Sequence, residues 1–121
     1  MIGIYAIRGI PGITTKVTVS DEARTLMDAG MSLSIGGKNA IGALITIDKP
    51  GGVGYDVRCT FGDNDNVVPT ATFGHILYAG DSMFLDNPVS ISRMQFINRC
   101  LGNDAVMFVT LEYEVGSGVP T

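Results

Sequence analysis

Glycine and proline cut this chain into short pieces. Sixteen glycines and five prolines are spread through 121 residues, mostly as punctuation between apolar runs. The longest unbroken apolar stretch, Ala40 to Ile45, has Gly42 inside it. That is far short of the ~20 apolar residues a helix needs to cross a bilayer, so no membrane partner is expected. Short apolar runs closed by turn residues are the mark of many short strands, not of long helices.

Alternation points the same way. Tyr55, Val57, Cys59 and Phe61 share one side of an extended chain, and Asp56, Arg58 and Thr60 share the other. Met107, Val109, Leu111, Tyr113 and Val115 alternate with Thr110, Glu112 and Glu114 in the same manner. Side chains of a strand point alternately to opposite faces, so each segment places one face on a core and one toward solvent or a partner. Further strands are expected at Thr14 to Val19, Met31 to Ile35, Ile41 to Asp48, Gly74 to Tyr78, Ser82 to Leu85 and Ser92 to Asn98, with Pro69 arguing against a central strand there. Ser20-Asp21-Glu22 resembles a helix start, a Ser cap followed by acids. It predicts one or two helical turns over 21–29, stopped by Gly30. The expected architecture is an all-β antiparallel β-sandwich of jelly-roll type with that single short helical segment. Residues 1–13 read as an extended N-terminal arm or edge strand, 14–115 as the sandwich domain and 116–121 as a flexible tail. The order of the strands does not follow from sequence.

Composition narrows the function. Hydrophobic residues make up 45% and charged residues 17%, where about a quarter charged is usual. The length suits one domain, and the lean surface charge suggests that a partner covers part of the surface. Net charge is -4, with no basic cluster to neutralise a phosphate backbone, so nucleic acid is not an expected partner. Met1 to Arg8 lacks the basic start and cleavage site of a secretory signal. Cys59 and Cys100 then read as free thiols buried as small hydrophobes.

No catalytic, cofactor or metal residue is assigned. His75 is the one histidine, too few for the histidine-rich metal sites of small jelly rolls, and no spacing ties it to either cysteine as a nucleophile pair. Asp63-Asn64-Asp65-Asn66 imitates the start of a calcium loop, but Val67 and Val68 interrupt the pattern. A polar turn explains it better. Gly37-Lys38 would need a glycine where Ser32 stands and a hydroxyl residue where Asn39 stands to be a phosphate loop. Gly36-Gly37 fits a type I′ hairpin turn instead. The twelve acids include no pair that stands out as a sugar-hydrolysing couple. Sugar binding is disfavoured by the lack of tryptophan and by aromatics that fall mostly at core-facing positions.

The second half also carries an ordered series of short matches. Arg58 is followed by Pro69, Thr70, Gly74, His75 and Leu77, then by Ala79, Gly80 and Leu85. Ile91, Phe96 and Ile97 come next, and Asn103, Asp104, Ala105, Val109 and Thr110 close the series. This order, over roughly residues 41 to 115, resembles small structural proteins of tailed bacteriophages. The Asp63-Asn64-Asp65-Asn66 stretch departs from their usual Asp-Gly turn, and the first 40 residues have no counterpart. The resemblance implies a virion part without chemistry: a capsid decoration or cement protein on the capsid surface, assembled in the host cytoplasm. Its partners would be the major capsid protein and further copies of itself in a dimer or trimer. The alternative is a tail, neck or fibre subunit that binds host glycans. The apolar arm residues Ile2, Ile4, Tyr5 and Ile7 are the candidate partner contacts, able to add a strand to a neighbour's sheet edge or to serve as a core strand of their own chain.

Overall fold

The computed structural model describes residues 9–49, 55–62 and 68–115. Strands dominate these residues, and every strand pair is antiparallel. The first sheet has five strands. Its centre is β9 (Ala105–Tyr113), flanked by β1 (Ile10–Val19) and β4 (Lys38–Ile47). The far side of β4 carries β3 (Ser34–Ile35) at one end and β7 (Ser82–Leu85) at the other. The second sheet runs β2 (Arg24–Thr25), β8 (Gln95–Asn98), β5 (Val57–Thr60), β6 (His75–Leu77). The all-β expectation therefore holds, with one short helix, α1 (Pro88–Arg93), beside the sheets.

Period-two patterning decides what goes inside. From the first sheet, Val17, Val19, Ala43, Ile45, Ile47, Met107, Val109 and Leu111 are buried. From the second, Val57, Cys59 and Phe96 join the same apolar cluster, together with Leu26, Ile91 and Met94. The register makes this a set of cross-strand rows. Val17 faces Met107, which faces Ile47, and Val109 faces Ile45, which faces Met83. Such pairs are the unit from which a sheet gains packing energy.

Glycine appears where turn geometry demands it. Ser34 pairs with Asn39 and Ile35 with Lys38, leaving Gly36 and Gly37 as a two-residue loop with φ of 59° and 79°. Positive φ at both positions is the type I′ turn anticipated from the Gly-Gly pair. Gly80, with φ of 92°, lets the chain reverse between Tyr78 and Asp81 and pass from the second sheet to the first. Asp56 anchors that turn: one carboxylate oxygen accepts from the Ala79 N–H at 2.8 Å, and the other accepts from Arg99 at 3.0 Å. The Arg99 guanidinium in turn lies 5.6 Å over the Tyr78 ring.

Three expectations need correction. No helix forms over 21–29. The carboxylate of Asp21, read as a first-turn acid, is instead engaged by the Gly102 N–H at 3.0 Å and the Asn98 amide at 2.6 Å. Arg24 and Thr25 pair with β8. The reciprocal cap sits later, where the Thr25 hydroxyl accepts from the Asp28 N–H and the Asp28 carboxylate accepts from the Thr25 N–H. Gly30 then ends the segment after one turn. Second, a helix occupies part of the strand expected from Ser92. Asn87 caps it by accepting from the N–H groups of Val89 and Ser90, and Pro88 fills the first helical position, where its missing N–H costs nothing. Third, Met31 to Ile35 contributes only the short β3. β1 begins at Ile10, within the stretch read as an arm or edge strand, and is the edge strand of the first sheet; Gly12 and Ile13 form a bulge between the paired Pro11 and Thr14.

Asn98 ties this arrangement together. It is fully buried at the end of β8, and its amide donates to Asp21 and to the Asn103 carbonyl while its backbone N–H donates to the Ser20 carbonyl. Replacing it by alanine removes bonds that join the end of β1, the end of β8 and the entry to β9. The expected loss for Asn98→Ala is about 1–3 kcal/mol in urea unfolding. Donation from Gly102 and Asn98 holds the Asp21 carboxyl below its ordinary value of 3.8. Because the folded-state value is the lower one, this contribution is present above the ordinary carboxylate range and fades as pH falls through the lowered value. Asp21→Asn is therefore expected to flatten the acid limb of a melting-temperature profile below about pH 4.

Candidate partner-binding surface

The face of the first sheet turned away from the core is built in rows. Thr14, Thr110, Leu44 and Phe84 form one row, and Lys16, Phe108, Thr46 and Ser82 form the next. Thr18 and Val106 lie beyond the second row, and Pro11, Glu112 and Gly42 beyond the first. A bond of 2.7 Å joins the hydroxyls of Thr14 and Thr110 across β1 and β9. Leu44, Phe84, Val106, Phe108 and Thr110 are half-buried. Only Lys16 and Glu112 carry charge in these rows. Aromatic and aliphatic side chains with so little charge set this face apart from an ordinary solvated one.

Parity predicts Glu112 on this outer face, toward solvent or a partner. It does lie there, yet it is only 3% exposed. Its neighbour across β4 is Gly42, and the carboxylate lies down over the space that glycine leaves. A Cβ at Gly42 would come within 2.5 Å of Oε1 and 3.0 Å of the tip of the Phe84 ring. Glu112 Oε2 is buried with no hydrogen-bond partner among the described residues.

A second apolar feature borders the same sheet. β1 is its edge strand. Beside the bulge a groove opens between Ile13 of β1 and Ile35 of the β3–β4 hairpin. Its floor is Met31 and Leu111, and Tyr113 forms a wall. Ile13 is 84% exposed and Ile35 56%, whereas Leu111 is 2% exposed, so an apolar rim surrounds an apolar floor. The Tyr113 hydroxyl donates to the Ser32 carbonyl at 2.7 Å and holds the two walls together. Partial burial raises its phenol above the ordinary value.

The arm residues Ile2, Ile4, Tyr5 and Ile7, the Asp63-Asn64-Asp65-Asn66 turn and the 116–121 tail lie outside the described residues. His75 sits on β6 directly opposite Cys59 of β5, an approach that sequence spacing did not reveal. The thiol is nevertheless buried, which pushes it up to about 11, and no hydrogen bond joins it to the imidazole among those of the described residues. Cys59 stays a protonated thiol at neutral pH. His75 is exposed and lies 6.3 Å from Phe61, ring centre to ring centre. Among the described residues no group of three or more His, Cys, Asp or Glu side chains could hold a metal ion.

Arg58 proves to be a brace. Its guanidinium donates to the carbonyls of Ala71 at 2.9 Å and Gly74 at 2.7 Å, holding the loop before β6 against β5. The aromatics meet the core-facing expectation only in part. Phe96 is buried and Phe61 and Tyr113 pack against the core as expected, whereas Phe73 is 56% and Tyr78 52% exposed, and Phe84 and Phe108 look outward. The signal for Phe108 was in the sequence, since it shares the parity of Thr110 and Glu112. No family model, curated protein or solved structure matches the chain.

Thiol reactivity checks the Cys59 environment. In the folded protein at pH 8, an aromatic disulfide reagent is expected to leave Cys59 unmodified and to reach it only on unfolding. Cys100, which is partly exposed, is expected to react in the native state. Mapping the labelled peptides distinguishes the two.

Proposed function

We propose that this chain is a structural protein of a phage virion: a decoration or cement protein on the capsid surface, folded as a β-sandwich of jelly-roll type. It seats the outer face of its first sheet on the major capsid protein. The observation that carries this reading is that face, a broad surface of Leu44, Phe84, Val106 and Phe108 interleaved with threonines and nearly free of charge. An apolar face of this kind on a small domain marks an interaction site. The resemblance over residues 41 to 115 supports the same assignment, since several of its matched positions have structural duties here. Arg58 braces a loop, Gly80 makes a turn and Phe96 fills the core.

The mechanism requires no chemistry. A protein that binds the assembled shell and not its separated subunits stabilises the shell by linkage. Copies joined in an oligomer gain further through effective concentration. Modest contacts per copy then hold the lattice against the pressure of packaged DNA.

A specific observation favours a second reading, glycan binding by a tail or fibre subunit. Phe73, Phe61 and His75 line a shallow depression at the edge of the second sheet, and exposed aromatic rings are the platforms on which sugars stack.

The decisive experiment mixes the purified protein with phage heads assembled without it. Saturable co-sedimentation and a higher rupture temperature are expected. Phe108→Asp should weaken binding at least tenfold while leaving the domain's own melting temperature within a few degrees, because the side chain projects away from the core. Absence of binding to any head, with glycan-array binding that Phe73→Ala abolishes, would replace this reading by the second.

A further inference from the structure

We infer that the outer face of the first sheet receives an arginine side chain of its protein partner, stacked on the Phe84 ring with its guanidinium on the Glu112 carboxylate. The inference rests on the reading of that face as the docking surface and names the chemistry that docks there. Glu112 is the reason. It stands on the outward side of the central strand, yet it is 3% exposed and its Oε2 is buried with no hydrogen-bond partner among the described residues. A buried carboxylate oxygen has given up its water donors, and here the described part of the domain supplies none in return. A charged donor that arrives with a partner would supply one. Lys16, the one other charge in these rows, is too far away. It faces Phe108, whereas Glu112 faces Pro11, so the two positions stand about 14 Å apart at the rise of a strand. No ion pair joins them among the described residues.

Gly42 makes the room. It pairs with Glu112 across β4 and β9, and a Cβ there would meet Oε1 of the acid at 2.5 Å and the tip of the Phe84 ring at 3.0 Å. Acid and ring therefore converge on one bare point of the sheet. Phe84 is half-buried, so part of its ring stays open to a partner, and a small swing of that ring uncovers the carboxylate edge. Leu44, also half-buried, pairs with Phe84 in the adjoining row. An anion flanked by an aromatic ring and an aliphatic chain selects among cations. Guanidinium is planar and weakly hydrated, and it stacks on an aromatic face while its N–H groups reach a carboxylate. The ammonium of lysine is a compact, strongly hydrated charge and loses more water on entering so apolar a place. An apolar partner side chain would cover the acid and still leave it without a donor.

The test begins with the natural full-length chain and a small probe. N-acetylarginine N-methylamide is expected to shift the NMR signals of Phe84, Leu44 and Glu112 in a saturable manner. The citrulline counterpart, of the same shape but uncharged, should leave them in place, and Glu112→Gln should abolish the response to arginine. The second arm uses phage heads assembled without the protein. Glu112→Gln is expected to bind them roughly tenfold or more weakly, with a melting temperature no lower than that of the natural chain. Glu22→Gln, which removes an equal charge from an exposed acid outside the face, should bind within about twofold. Equal responses to arginine and citrulline, or a response that Glu112→Gln retains, would overturn the inference. So would full-strength head binding by Glu112→Gln, or a fall in its melting temperature with no loss of affinity. A natural chain that responds to arginine but binds no head would sustain the inference and remove the capsid assignment alone.

Discussion

The register of β9 is the constraint on which the rest depends. This strand lies between β1 and β4 and sends one row of side chains to the core and the alternate row outward. A slip of one residue against either neighbour would bring Phe108, Thr110 and Glu112 inside and put Met107, Val109 and Leu111 out. Burying an acid and a threonine hydroxyl without partners would be prohibitive. The knot of Asp21, Asn98 and Gly102 fixes the chain just before β9 begins. Packing along the strand and hydrogen bonding at its entry therefore select the same register.

Much of the architecture was legible because both long alternating segments have cores on one side only. The period-two rows at 55–61 and 106–115 reappear as β5 and β9, and Gly36-Gly37 is the turn its composition announced. What failed was local chemistry that tertiary partners redirect. Ser20-Asp21-Glu22 has the composition of a helix start, but Asp21 is drawn to a loop about eighty residues away. The helix at Pro88 was signalled by Asn87-Pro88, and was masked by the β-branched and apolar residues that follow. The groove escaped sequence reading because its residues come from four separate stretches of chain. Ile13 and Ile35 look like ordinary strand hydrophobics until the fold leaves them uncovered.

The two faces of the first sheet differ in character, the inner one packed as core and the outer one the surface proposed for docking. Inside, aliphatic rows from both sheets interlock. Outside, the same strands carry Leu44, Phe84, Val106 and Phe108 among threonines, half-buried side chains that would gain from cover. Glu112 marks the boundary between these roles, since its carboxylate is kept from water by Gly42 and Phe84 yet one oxygen has no donor among the described residues. Natural edges are blunted by proline, lysine and bulges, and β1 carries all three in Pro11, Lys16 and the break before Thr14. An added strand can still dock there, but one that continues without limit along the edge is discouraged.

Pairing of β1 with β9 also governs how the protein comes into being. Ile10 faces Tyr113, so segments far apart in sequence must meet before the central sheet exists. Closing so long a loop is slow, because its entropy cost comes before the contacts that reward it. Until Ala105–Tyr113 is in place, β1 and β4 have no strand between them, and the outer face that all three share does not exist.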